Sequence, residues 1–204
     1  IRSCKKTLKN FDKTKIDCVI VVTQTAKNKL PSISCMIQNK LNLKKNIFAI
    51  DVGLGCSGFV YGLSVINSLF SSNLAKTALF VCGDTYTKFL NNENRTCRTV
   101  FSDAASSCIV QKINSKKQTK FSFFTDGSGA SDLIEIDKNI VMKGSNIFHF
   151  TTKNIPSLFN DILRKNSLKK EHIDQFVFHQ ASKLVIDKLT DILQLDNKKV
   201  FRNY

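Results

Sequence analysis

No stretch of this sequence reaches the roughly 18 consecutive apolar residues that a membrane span needs. Its apolar runs, Ile47 to Ile50 and Phe59 to Phe70 among them, are short or broken by Ser and Asn. No secretory signal opens the chain, no two cysteines are spaced CxxC, and no cysteine follows Cys108. The seven cysteines, at 4, 18, 35, 56, 82, 97 and 108, therefore argue against a zinc site or a disulfide framework and for a reducing, cytoplasmic setting. Acidic residues are scarce as well, 16 against 31 Lys and Arg, for a formal net charge of +15.

What is present is a globular composition, 42% hydrophobic and 23% charged, in 204 residues, enough to bury a core. The positive balance fits nucleic acid, an anionic surface or an acidic protein partner, and its sign alone does not choose among them. Its lysines come in scattered pairs (Lys44-Lys45, Lys116-Lys117, Lys169-Lys170, Lys198-Lys199) at expected element ends, without interleaved aromatics or a nucleic-acid motif. A solvated Lys-rich surface is the first reading, and a surface for an acidic carrier protein or polyphosphate ligand the second. No nucleic-acid or membrane partner is expected. Because the chain starts at Ile1 and ends at Tyr204 in what reads as a strand, it is expected to be an interior fragment of a longer protein.

Near-continuous apolar runs predict strands over 18–23, 47–52, 78–82, 107–111 and 175–178, in a sheet covered on both faces. Helical patterns fall between them, over 32–41, 56–71, 154–165 and 182–194. That alternation indicates an α/β protein. There is also an internal repeat: "KTKIDCVIVVTQTA" (13–26) and "KKEHIDQFVFHQAS" (169–182) both run from basic residues through Ile-Asp into an apolar strand and out through a Gln-containing turn. Each is followed by a basic loop and another strand, "LKKNIFAI" and "NKKVFRNY", which suggests two copies of one α/β unit. The expected halves are 1–111 and 112–204.

The segment "DVGLGCSGFVYGL" (51–63) places Cys56 where a glycine turn leaves a strand and a helix, apolar nearly all round, begins. At a helix N-terminus the macrodipole is expected to lower the thiol pKa and favour the nucleophilic thiolate. Glycines there let a substrate approach the backbone. Strand, Gly turn, small nucleophile and helix is a recurring catalytic arrangement, although a cysteine can equally be a small packing residue. A cysteine nucleophile calls for a histidine. His172 is expected to be exposed and His149, in "NIFHF", to lie on a side face. His179 ends the apolar run "FVFHQ", at the carboxyl edge of a strand where α/β sites gather.

With those residues in place, the segment from "DVGLGCSGFVYGLS" to "FVCGDTYTKFL" resembles the nucleophile segment of 3-oxoacyl-[acyl-carrier-protein] synthase III, a family of thiolase-fold condensing enzymes, and "FVFHQAS" resembles its HQAN histidine motif. "LPSISCMIQNKL", "NRTCRTVFSD", "DGSGASDLIEI" and "MKGSNIFHF" match further segments of that family in order. The resemblance implies thiolase-like duplicated α/β layers (α-β-α-β-α), here incomplete at both ends.

By that resemblance Cys56 takes an acyl group from acyl-CoA as a thioester. His179 then helps decarboxylate a malonyl-acyl carrier protein, whose carbanion attacks the thioester. Arg95 falls beside the CoA adenine; Met142, Gly144, Phe148, Ala181 and Ser182 line the pantetheine tunnel; Phe101 is an acyl-pocket wall; Leu30 is inserted into a partner subunit's pocket. The partners implied are acyl carrier protein, acyl-CoA and a second copy in a homodimer, paired through the strand at Ala78–Cys82. No cofactor or metal is implied.

Four departures stand out. The family's Gly-Asn-Thr loop, with its active-site asparagine, would fall past Tyr204, and Asn203 is not expected to replace it. Its glycine-rich "GDGAGA" is "SDAASS" (102–107), which is expected to reshape the loop. The HQAN asparagine is Ser182, and the carrier-docking arginine is Leu184 with Lys183 beside it. Three readings follow: a decarboxylative condensing enzyme, an acyltransferase passing the Cys56 acyl group to an alcohol or amine, and a non-catalytic subunit or basic binding protein.

Overall fold

The computed structural model describes residues 1–91, 95–115 and 119–203, so the Lys116-Lys117 pair, Asn94 of "NRTCRTVFSD" and Tyr204 lie outside the described residues. The chain divides into two packed units, Ile1–Tyr86 with Ser102–Gln118, and Thr87–Phe101 with Thr119–Tyr204.

The first unit is built on a four-stranded sheet of β1 (Cys18–Val22), β2 (Phe48–Val52), β3 (Thr77–Thr85) and β4 (Asp103–Gln111), in the order β2-β1-β3-β4. β1 is parallel to both neighbours, whereas β4 runs antiparallel to β3. Successive side chains of a strand point to opposite faces, and here each face has its own core. Val19, Val21, Leu79 and Val81 pack with Cys4 of α1 (Arg2–Thr7) and Ile37 of α2 (Ile33–Lys40). Cys18, Ile20, Val22, Ala78 and Phe80 pack with Ile66, Leu69 and Phe70 of α3 (Gly58–Ser71). This layering makes β1 buried throughout, as its apolar run predicts.

Burial on both faces does not extend to the outer strands. Phe48 and Ile50 of β2 are 40% and 39% exposed, and most of β4 is exposed. Both are edge strands, so each has fewer neighbours to cover it. The expected loop at Ser102–Ser107 is not a loop: from Asp103 onward it is the start of β4, with Ala105 opposite Gly83. Nor is α3 buried all round. Gly58, Gly62, Ile66 and Leu69 face the sheet, while Phe59 and Val60 are 52% and 46% exposed.

The second unit holds α4 (Arg95–Arg98), a hairpin of β5 (Leu133–Ile136) and β6 (Asn139–Met142), and two helices, α5 (Gly144–Lys165) and α6 (Lys183–Ile192). Its core is Phe176, Ile186, Leu193, Leu195 and Val200, with Phe159 of α5 against Phe176 at 5.7 Å between ring centroids. The strand expected over 175–178 is reduced to one parallel bridge, Phe176 to Val200, because a strand exists only where a partner supplies hydrogen bonds and Phe176 has one such neighbour here. The repeat is nonetheless visible in three dimensions. A single 3-10 turn precedes β1 (Lys13–Lys15) and another precedes Phe176 (Lys170–His172), and each run then pairs in parallel with the segment after the next helix. No helix among the described residues is long and apolar enough to cross a membrane.

Candidate active site

β2 delivers the chain into Gly53-Leu54-Gly55, and the Gly58 N–H donates to the Gly55 carbonyl at 2.8 Å, closing a turn around Cys56 and Ser57. The first helical bond of α3 is Tyr61 N–H to Ser57 O at 3.1 Å, so Cys56 sits just ahead of the helix instead of opening it as expected. Two glycines of α3 let it lie close on the sheet. A Cβ at Gly58 would come 2.3 Å from Val22 Cγ1, and one at Gly62 2.5 Å from Phe80 Cε2.

The thiol pKa of Cys56 is raised, not lowered. The residue is exposed, but the protein packed around its sulfur disfavours the thiolate and is the largest influence. The bond from its own backbone N–H favours the thiolate, and the negative charge of Asp84 opposes it. Desolvation thus outweighs the bond from its own amide, and a neighbouring carboxylate adds to it.

Asp84, near the end of β3, was not singled out from the sequence. Its Oδ1 accepts from Thr23 Oγ1 (3.0 Å), Gln24 N (2.7 Å), Thr25 N (3.0 Å) and Thr25 Oγ1 (2.9 Å), which ties the loop after β1 to the end of β3. Thr25 Oγ1 also accepts from Thr85 N at 2.7 Å. On this platform the Tyr86 hydroxyl donates to Gln24 Oε1 at 2.7 Å. The pair presses on the nucleophile turn: a Cβ at Gly55 would lie 2.5 Å from Gln24 Oε1 and 3.0 Å from the Tyr86 hydroxyl oxygen. A carboxylate at the carboxyl edge of an apolar strand was the available sequence signal for this cluster.

Cys56 and Leu30 belong to the first unit and the remaining candidate residues to the second. Leu30, 84% exposed, leads into α2, whose first two N–H groups, of Ile33 and Ser34, donate to the Asp51 carboxylate at 2.6 and 2.8 Å. In the second unit, Arg95 lies exposed on α4, and Cys97 Sγ reaches the Ile140 carbonyl of β6 at 3.5 Å. Met142 ends β6 and Gly144 starts α5, with Thr96 Cγ2 at 3.9 Å from where a Gly144 Cβ would stand. Phe148, half-buried, is one turn further into α5, and Phe101, also half-buried, donates its N–H to Cys97 O at 2.9 Å. Hence Arg95, Phe101, Met142 and Gly144 all sit around α4 and the end of the hairpin.

His179 lies on irregular backbone after the Phe176 bridge, exposed but surrounded by enough protein to lower its pKa by desolvation. Gln180, also missed, holds this segment: its Nε2 donates to Phe178 O at 2.9 Å, and its Oε1 accepts from Asn203 N at 2.9 Å. Ala181 is half-buried, and Ser182 is the N-cap of α6, accepting from Val185 N at 3.3 Å. Serine and asparagine are both good N-caps, so the departure from HQAN keeps the helix start. His149 and His172 are exposed, the latter accepting the Lys169 N–H at Nδ1, 3.2 Å.

The strand pairing expected for a second copy is corrected by the sheet itself. Over Ala78–Cys82, β3 is bonded to β1 on one side and β4 on the other, so it has no free edge to offer.

Comparison with known proteins agrees with this fold. A sequence model of the family "3-Oxoacyl-[acyl-carrier-protein (ACP)] synthase III" matches residues 50–138. The chain is 33% identical over 198 residues to a beta-ketoacyl-[acyl-carrier-protein] synthase III of Acholeplasma laidlawii, covering 96% of this chain and 63% of that protein. It is 32% identical over 197 residues to one of Rickettsia rickettsii, covering 92% and 62%. It thus spans a little over six-tenths of the length of these relatives. Among solved structures, a 3-oxoacyl-(acyl-carrier-protein) synthase III superposes with a TM-score of 0.94 at 29% identity, over 98% of this chain and 68% of that one. The Aquifex aeolicus enzyme gives 0.90 at 27%, over 98% and 66%. In sequence and in its thiolase-like α/β fold, the chain belongs to the 3-oxoacyl-[acyl-carrier-protein] synthase III family.

Proposed function

We propose that the protein is a decarboxylative condensing enzyme that carries its acyl group on Cys56. The observation that carries this reading is the Cys56 turn: an exposed cysteine ahead of a sheet-packed helix, with its own amide directed at the sulfur. Cys56 sulfur attacks the carbonyl carbon of acyl-CoA; the carbon–sulfur bond to CoA breaks, and CoA leaves with the proton the thiol loses. The Cys56 amide stabilises the intermediate oxyanion, a role worth about 3 kcal/mol for one well-placed donor.

Decarboxylation of a malonyl group on acyl carrier protein then yields CO2 and a carbanion, which attacks the Cys56 thioester and expels the thiolate, leaving 3-oxoacyl-carrier protein. His179 serves as a neutral hydrogen-bond donor to the malonyl thioester carbonyl, a role its lowered pKa favours. Arg95, Phe101, Met142, Gly144, Phe148, Ala181 and Ser182 form the CoA and pantetheine path. Leu30, on an exposed loop, reaches into a second copy. That homodimer forms by addition across the outer edge of β2, the edge strand that leads to Cys56.

The test is intact-protein mass spectrometry of the full-length protein with a panel of acyl-CoAs and acyl-carrier donors, with Cys56→Ala as control. A wild-type-only adduct that malonyl-carrier protein discharges as a 3-oxoacyl product is expected. Discharge only to alcohols or amines replaces condensation by acyl transfer, and no adduct from any donor refutes the nucleophile.

A further inference from the structure

We propose that Gln180 is a positioning residue for His179: its side-chain amide takes the place of the next rung of a strand ladder and so fixes where the chain turns off and presents the imidazole. The inference rests on the reading of His179 as the hydrogen-bond donor of the condensation step. Phe176 makes a full parallel rung, its N–H donating to Lys199 O at 2.7 Å and its carbonyl accepting from Phe201 N at 2.9 Å. Parallel rungs recur at every second residue, so the next would join Phe178 N–H to Phe201 O and Asn203 N–H to Phe178 O. Neither bond forms among the described residues. Gln180 takes these partners instead: its Nε2 donates to Phe178 O at 2.9 Å and to Phe201 O at 3.4 Å, and its Oε1 accepts from Asn203 N at 2.9 Å. A primary amide carries both the donor and the acceptor of a peptide group, so it can stand between two strands and satisfy each.

The first copy of the repeat supplies the comparison. Aligned on Asp17 and Asp174, Val19 corresponds to Phe176, Val22 to His179 and Thr23 to Gln180. There the ladder runs on until Thr23 N–H donates to Val52 O at 3.1 Å, and Val22, 3% exposed, stays in the sheet against α3. In the second copy the ladder ends at Phe176, and His179 is exposed. The bond from Gln180 Nε2 to Phe178 O also spans His179 and ties together the residues on either side of it. The imidazole therefore leaves a backbone clamped at both ends, in a segment that regular strand pairing no longer fixes. Without the clamp it drifts, and misplacing a group that acts on substrate by about an ångström can cost about a hundredfold in rate.

The experiment separates the two half-reactions in the full-length protein, in wild type, Gln180→Leu, Gln180→Glu and His179→Ala. Intact mass follows acylation of Cys56 by a panel of acyl-CoAs from acetyl to octanoyl, then discharge of the adduct by malonyl-carrier protein. Both Gln180 variants are expected to acylate at the wild-type rate and to discharge about tenfold or more slowly. Circular dichroism checks folding. Gln180→Glu keeps the size of the side chain and the acceptor for Asn203 N but sets a carboxylate against two carbonyls, so it decides the matter alone if Gln180→Leu does not fold. Equal slowing of both half-reactions marks a merely structural role and overturns the positioning, as does wild-type discharge in folded Gln180 variants beside a slow His179→Ala. Wild-type discharge in His179→Ala overturns the reading of His179 and the positioning with it. Absence of any wild-type adduct overturns the reading of Cys56, and the NMR titration of His179 then decides. Release from the clamp should move its lowered midpoint up toward 6.5, and an unmoved midpoint in folded Gln180→Leu overturns the positioning.

Discussion

Replacing Gly62 by alanine tests whether the close seating of α3 positions the nucleophile. The new Cβ would stand 2.5 and 2.6 Å from Phe80 Cε2 and Cζ and 3.1 Å from Val22 Cγ2. The first two distances are below any that a real Cβ keeps, and Phe80, 1% exposed, lies in a close-packed core where the ring has no free space to enter. Alanine in a helix interior is favoured over glycine by about 1 kcal/mol. Overpacking a core costs about 1–3 kcal/mol, and contact with the edge of a fixed ring belongs at the upper end of that range. The expected result is a net loss of about 1–2 kcal/mol, with Ser68→Ala, exposed on the same helix, neutral or slightly stabilising. Urea denaturation measures both. A Gly62→Ala protein as stable as wild type would refute the packing argument. A lifted α3 also moves the Cys56 turn, so Cys56 acylation should slow by about tenfold or more, given that misplacement by about an ångström can cost a hundredfold. Lost stability with an unchanged acylation rate would separate helix seating from nucleophile placement.

Asp84→Asn removes the charge that opposes the Cys56 thiolate, so the thiol should titrate at lower pH and react faster with iodoacetamide near neutrality; an unchanged rate–pH profile would discard the charge effect. The same change weakens four bonds to one oxygen and should cost about 1–3 kcal/mol of stability. His179 has its pKa lowered below 6.5 by desolvation, so the unfolded chain takes up its proton first. Its contribution to stability is fully present above pH 6.5 and is lost as pH falls through the folded value; an NMR titration with a midpoint at or above 6.5 would contradict this. In β2 the Phe48 N–H points inward to Asp17 O, so by alternation the Ala49 N–H points to the free edge. Ala49→Pro should therefore weaken a dimer paired through β2 while sparing the β1 ladder, and an unaltered monomer–dimer equilibrium in sedimentation would exclude that mode of pairing.

The sequence alone determined the α/β class, β1, α2, β2 and α3 to within a residue or two, the Cys56 and His179 motifs, and the family, because long apolar runs and a glycine turn are local signals. The β5–β6 hairpin was illegible for a local reason: its turn is Asp137-Lys138, both at positive φ (48° and 63°), with no glycine to announce it. Tertiary structure decided the rest. An apolar run such as 175–178 becomes a strand only where neighbours lie alongside, and among the described residues Phe176 pairs with Val200 alone. Which strand keeps a free edge follows from sheet order, which put β2 and not β3 outermost. The direction of the Cys56 pKa depended on the protein packed around the sulfur, with a smaller push the same way from Asp84, remote in sequence and brought near by the β1–β3 pairing. Local chemistry is written in consecutive residues, whereas fields, edges and desolvation are sums over groups that only the fold assembles.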